Sequence, residues 1–135
     1  MNTSPISTLM HDYLAAARSG DWDAAFALMA DDVVLTVPGR SRYAGRHEGK
    51  ASLREYLSAA LAGTTAVQVE LEDMLAGEEH IALVLRERLA RGGRELNMRR
   101  TNLYRIRDGA IVEVSIFEAH QYEVDEFMEA QPART

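Results

Sequence analysis

The 135-residue sequence contains no cysteine, which excludes disulfides, a thiolate nucleophile and cysteine-ligated metal sites. It leaves the redox compartment open. No apolar run approaches the roughly 18 residues that span a bilayer. The opening Met1-Asn2-Thr3-Ser4-Pro5 also lacks the basic and apolar regions of a secretory signal. A soluble, cytoplasmic protein without a membrane partner is therefore expected. Basic charge is in short supply, with 15 Lys+Arg against 21 Asp+Glu for a formal charge of -6. Such a field repels a phosphate backbone, so nucleic acid is not an expected partner. The four histidines form no helical His pair and no cluster with acids, so no metal site is read, and no cofactor is implied. Ser41, Ser52, Ser58 and Ser115 lack the strand–turn–helix setting of a nucleophilic serine. What is present is apolar substance: 47% hydrophobic residues suffice for a core in one domain, 1–135.

Ile6, Leu9, Met10, Tyr13, Leu14 and Ala17 follow helical spacing, with Ser4 as N-cap, Pro5 at the first position and Gly20 behind. Asp21 caps a shorter helix through Trp22, Ala25, Phe26 and Met29, which Asp31-Asp32 is expected to end. Val33 to Val37 reads as a strand stopped by Pro38-Gly39, and a loop runs from Gly39 to Gly49. Leu53, Tyr56, Leu57, Ala60 and Leu61 define a third helix before Gly63. The period then changes to two. Val67, Val69 and Leu71 alternate with polar residues, and Ile81, Leu83, Leu85 and Leu89 share a face interrupted by Glu87. Gly92-Gly93 and Asp108-Gly109 read as hairpin turns, so 94–107 and 110–118 complete an antiparallel meander. Helices first and a curved sheet second is an α+β order, with a cavity expected inside the curl.

Hairpin register places Asn102 opposite Leu83 and Ser115. Leu96, Met98, Arg100, Asn102, Tyr104 and Ile106 form the more apolar face of their strand and should point inward. Arg100 and Asn102 are then polar groups on an apolar face, which need partners or a ligand. Glu87, one diagonal step away, is the partner expected for Arg100. The pair either satisfies itself or leaves Arg100 to orient a substrate. Simple alternation turns Ser115, Phe117 and Ala119 inward and Glu118 and His120 outward, with Glu118 facing Arg99.

Tyr13-Leu14-Ala15-Ala16-Ala17, Ser19-Gly20-Asp21-Trp22-Asp23 and Met29-Ala30-Asp31-Asp32-Val33 resemble the opening of ketosteroid isomerases. Pro38-Gly39-Arg40-Ser41, Ala44-Gly45-Arg46-His47-Glu48-Gly49, Tyr104-Arg105-Ile106-Arg107-Asp108-Gly109 and His120-Gln121-Tyr122-Glu123-Val124-Asp125-Glu126-Phe127 resemble the SnoaL-like polyketide cyclases. Both belong to the nuclear-transport-factor-2-like superfamily. The resemblance covers nearly the whole chain. It implies a cone-shaped, curved antiparallel sheet around N-terminal helices, a cystatin-like or SnoaL-like α+β barrel. Tyr13 resembles the isomerases' oxyanion-hole tyrosine and Asn102 stands where they carry a protonated aspartate. Val37 replaces their general base, which disfavours steroid isomerisation by that route. The SnoaL-like acid/base aspartate corresponds to His120, whose imidazole suits proton transfer at neutral pH if a bulge or strand end turns it inward.

The resemblance implies a cofactor-independent enzyme that enolises a hydrophobic carbonyl compound, polyketide- or steroid-like, as a cyclase or isomerase. Tyr13, Asn102 and His120 would be catalytic. Arg100, Trp22, Tyr43, His47, Met98 and Phe117 would contact the substrate, His47 from the mouth of the cone. The alternative is a non-catalytic module of the same fold that binds a small hydrophobic molecule. Third comes epoxide hydrolysis, of whose Arg-x-Asp arrangement Arg100-Thr101-Asn102 keeps the arginine but replaces the carboxylate by an amide. An apolar strip on the outer sheet face, Leu103, Val112, Val114 and Ile116, predicts a homodimer.

Overall fold

The computed structural model describes residues 5–130. The proposed N-cap Ser4 lies outside them. Helix α1 (Pro5–Arg18) buries Met10 and Leu14, four residues apart on one face. Gly20, at φ +77, turns the chain so that the Asp21 amide donates to Ala16 O. Asp21 then caps α2 (Trp22–Ala27), its carboxylate accepting from the Ala24 amide at 3.2 Å. Here the first difference from sequence expectation appears. The helix stops at Ala27 and strand β1 (Met29–Val37) has already begun, so Asp31 and Asp32 lie within a strand rather than at a helix end. The stretch read as a loop also contains a short strand, β2 (Gly45–Glu48), paired antiparallel with β1.

After α3 (Lys50–Ala60) come β3 (Thr64–Ala76), β4 (His80–Arg91), β5 (Arg94–Arg107) and β6 (Ala110–Glu118), and then α4 (Gln121–Glu129). The six strands form one curled half-barrel sheet in the order β2-β1-β6-β5-β4-β3. Every neighbouring pair is antiparallel except β1 and β6, which run parallel. No described helix is long and apolar enough to cross a membrane.

The β4–β5 hairpin has the expected register, with Leu83 opposite Asn102 and Arg91 opposite Arg94. The β5–β6 hairpin closes as expected at Arg107 opposite Ala110, but Arg105 pairs with Glu113 while Ile106 pairs with Ile111. Val112 is thus an extra residue, a bulge, and every later β6 side chain is reversed. Asn102 faces Ile116 rather than Ser115, and Arg100 rather than Arg99 faces Glu118. Val114 and Ile116 are buried in the core, so the outer apolar strip predicted from them is broken. Phe117 points outward and is 55% exposed.

Among the described residues, two apolar clusters form the core. The main one joins α1, α2 and α3 to the concave face of the sheet through residues such as Met10, Phe26, Leu53, Leu83 and Ile116. The second packs Val124, Phe127 and Met128 of α4 on Leu89, Leu96 and Met98.

Candidate functional site

The curl encloses a cavity of about 190 Å³, walled by α1, α2, α3 and the inner face of the sheet. Most of its wall is apolar, with Trp22, Phe26, Leu53, Met98 and Ile116 contributing. Apart from Arg18 and Tyr56, two groups of polar side chains interrupt it.

The first is a hydroxyl relay. Tyr104 and Asn102 are two residues apart on β5 and therefore share its inner face. Asn102 Nδ2 donates to the Tyr104 hydroxyl at 3.3 Å. The Tyr104 hydroxyl in turn is bonded to that of Tyr13, whose ring meets the Tyr104 ring edge-on at 5.4 Å between centroids. A Tyr104 hydroxyl that accepts from Asn102 can donate its own proton to Tyr13, which leaves the Tyr13 proton available to a ligand. Burial raises the pKa of Tyr13, with the Tyr104 hydrogen bond opposing and the Glu87 charge adding to the rise. Burial raises Tyr104 further. Both phenols therefore stay protonated at neutral pH.

The second is an ionic triad. Arg100, on β5, is held between Glu118 at the end of β6 and Glu87 on β4. Its Nε donates to Glu118 Oε1 at 3.3 Å, its Nη2 to Glu118 Oε2, and its Nη1 lies 3.6 Å from Glu87 Oε2. The Glu118 side chain is 2% exposed. Burial raises its pKa, against the pull of Arg100. Burial works against the Arg100 charge too, but the two carboxylates outweigh it and hold the guanidinium protonated. Glu87 and Arg100 line the cavity. Glu87 also acts on Tyr13, Tyr104 and Tyr56 through its charge, so the triad and the relay share one electrostatic environment.

Of the residues singled out from sequence, Tyr13, Asn102, Arg100, Trp22 and Met98 line the cavity. Tyr43 and His47 do not. Tyr43 meets the Tyr56 ring edge-on and His47 meets it at a tilt, with ring centroids 6.5 and 5.0 Å from its own, and His47 Nε2 bonds the Tyr43 carbonyl at 2.8 Å. Phe117 is turned away by the bulge. His120 is exposed and lies outside this lining. The reversal that would have brought it inward ends at Glu118, because the chain leaves the sheet there and His120 becomes the N-cap residue of α4. Glu118, assigned from sequence to an outer-face pair, takes the inner position. Among the described residues no three His, Asp or Glu side chains stand together as a metal-ligand set.

Comparison with known proteins identifies the class. A model of the SnoaL-like domain matches residues 10–114, and the chain belongs to that family. Among solved structures, a protein of unknown function with a cystatin-like fold from Xanthomonas campestris superposes with a TM-score of 0.85 at 26% identity, covering 93% of this chain and 98% of that one. A SnoaL-like polyketide cyclase, as it is described, from Jannaschia sp. CCS1 gives 0.76 at 16% identity over 98% and 99%. TerC, co-crystallised with polyporic acid, gives 0.83 at 15% identity over 94% and 100%. No curated protein matches the chain.

Proposed function

We propose that the protein is an acid/base enzyme that enolises a compact, hydrophobic carbonyl compound, in the manner of a cyclase or isomerase. The observation that carries this reading is the shared cavity wall: Tyr13, at the end of the Asn102–Tyr104 relay, and Glu87 border one apolar space. Glu87 takes a proton from the carbon next to the carbonyl. The C–H electron pair becomes the enolate double bond, and the charge moves to the oxygen, where Tyr13 donates to it. Returning the proton to another carbon isomerises the compound, whereas attack by the enolate carbon on a second carbonyl closes a ring. An engineered cavity of about 150 Å³ holds benzene. A space of about 190 Å³ therefore suits one or two rings rather than a four-ring steroid.

The test is hydrogen exchange. In deuterium oxide the protein should speed incorporation of deuterium next to the carbonyl of α-tetralone, followed by NMR. Glu87→Gln should abolish the acceleration, and Tyr13→Phe should reduce it by about 10²–10³. Binding of α-tetralone with no acceleration would leave a ligand-binding module and remove the catalytic reading.

The Arg100 bridge between two carboxylates favours one other chemistry, opening of an epoxide by water that Glu87 deprotonates. Conversion of styrene oxide to its diol, lost in Glu87→Gln, checks it. The partner proposed is thus a small hydrophobic molecule. A second copy of the chain is proposed to cover what remains of the outer face around Phe117, Leu103 and Val112.

A further inference from the structure

An arginine in an apolar cavity is ordinarily a receptor for carboxylates, because its planar fork of N–H groups matches two carboxylate oxygens. In this protein the fork is occupied. Glu118 takes Nε and Nη2, Glu87 stands at Nη1, and Met98 Sδ lies 3.0 Å from Nη2. Two carboxylates against one guanidinium leave the triad one negative charge in excess when all three are ionised. The triad is also largely out of water, with Arg100, Glu87 and Glu118 side chains 11%, 14% and 2% exposed. Screening by salt is weak there, so the excess charge is felt by whatever enters. Arg18, the other charged side chain along the described lining, is exposed and its charge is spent largely on water.

We infer that the cavity admits uncharged ligands and turns away carboxylates, with Glu118 as the residue that sets this selectivity by occupying Arg100. The inference deepens the reading given above and rests on it for the site. A separate observation points the same way. Asn102 lines the cavity, and its Oδ1 is buried without a hydrogen-bond partner. An ionised carboxylate only accepts hydrogen bonds and leaves that oxygen unpaired, whereas an uncharged carbonyl compound with an O–H or N–H supplies the missing donor. The ligand class is therefore a neutral, one- or two-ring carbonyl compound carrying a hydroxyl or amide hydrogen.

Trp22 is the chain's one tryptophan and lies on the cavity wall, so its fluorescence reports occupancy. The probes are α-tetralone, a hydroxylated α-tetralone and tetralin carboxylate, which share a ring skeleton and differ in charge and donors. Wild-type protein should bind α-tetralone at least about tenfold more tightly than tetralin carboxylate, and the hydroxylated ketone more tightly still. Glu118→Gln should narrow the gap, and Glu87→Gln with Glu118→Gln should reverse it, the unpaired Arg100 then receiving the carboxylate. Equal or tighter binding of the carboxylate by wild-type protein overturns the inference without any variant having to fold. Preferential binding of the ketone without hydrogen exchange keeps the inference and removes the catalytic reading. No response of Trp22 and no thermal stabilisation with any probe overturns both.

Discussion

Glu118 is the residue in which burial and charge act against each other most openly. Its carboxyl is held above the usual range by burial, despite Arg100 beside it, with Glu87 and Asp125 adding to the rise. Between the ordinary carboxylate value and the raised one, the unfolded chain binds fewer protons than the folded chain. Stability from this group is then complete below the ordinary value and is lost as pH rises through the raised one. Urea titrations over that interval should show the decline, and Glu118→Gln should flatten it; an unchanged slope in the variant assigns the decline elsewhere. Tyr13 and Tyr104 obey the same sign in the alkaline range, where unfolding releases phenol protons that the core retains. Tyr104→Phe removes the link between Asn102 and Tyr13. It should weaken binding of α-tetralone while leaving the fold, read by circular dichroism, intact.

At the scale of elements, α4 depends on one buried cation. Arg91, 3% exposed, donates from Nη2 to Phe127 O at 2.9 Å and from Nη1 to Ala60 O and Ala62 O at 3.3 and 3.4 Å, and its guanidinium lies 4.7 Å from the Phe127 ring centroid. It joins the ends of α3 and α4, where helix carbonyls lack partners of their own. Gly39, at φ +98, allows α4 to approach, since a Cβ there would overlap Gln121 and Asp125. Arg91→Met leaves three carbonyls without their donor and should cost about 3 kcal/mol in chemical denaturation. A loss within about 0.5 kcal/mol would mean that Phe127 and Met128 hold the helix unaided. Helix α1 and the β4–β5 register were legible because Met10 and Leu14 share one helical face and Gly92-Gly93 permits one tight turn. The β6 bulge was not. Ile111, Val112, Val114 and Ile116 put apolar residues on both faces, so the sequence of this strand fits either parity, and only its packing against β1 and β5 decides. Tyr13, Asn102 and Arg100 could be placed on the cavity wall in advance, whereas Glu118 depended on that single extra residue. Removing Val112 should return Glu118 to the outer face and lower the melting temperature, a change that amide hydrogen exchange along β6 would register.

For the molecule as a whole, the bulge moves apolar surface from outside to inside. Val114 and Ile116 leave the outer face, and the patch that remains centres on Phe117 at 55% exposure with Leu103 and Val112 half-buried. If a second copy covers it, Phe117→Asp should shift sedimentation from dimer to monomer at micromolar concentration; a wild-type monomer would end the proposal. The parallel pairing of β1 with β6 has a different kind of consequence, one of timing. Strand β1 has β2 on one side and β6 on the other, and β6 is the last strand among the described residues. Strand β1 can thus pair with β2 early, but its other sheet neighbour lies far along the chain and is made much later. Its closing contacts join residues some eighty positions apart, such as Leu35 and Val114, which is the entropic condition for slow folding. Until they form, the edge of β1 that will meet β6 is an open template, and the newborn chain is most in need of a chaperone in the interval between the making of β1 and that of β6.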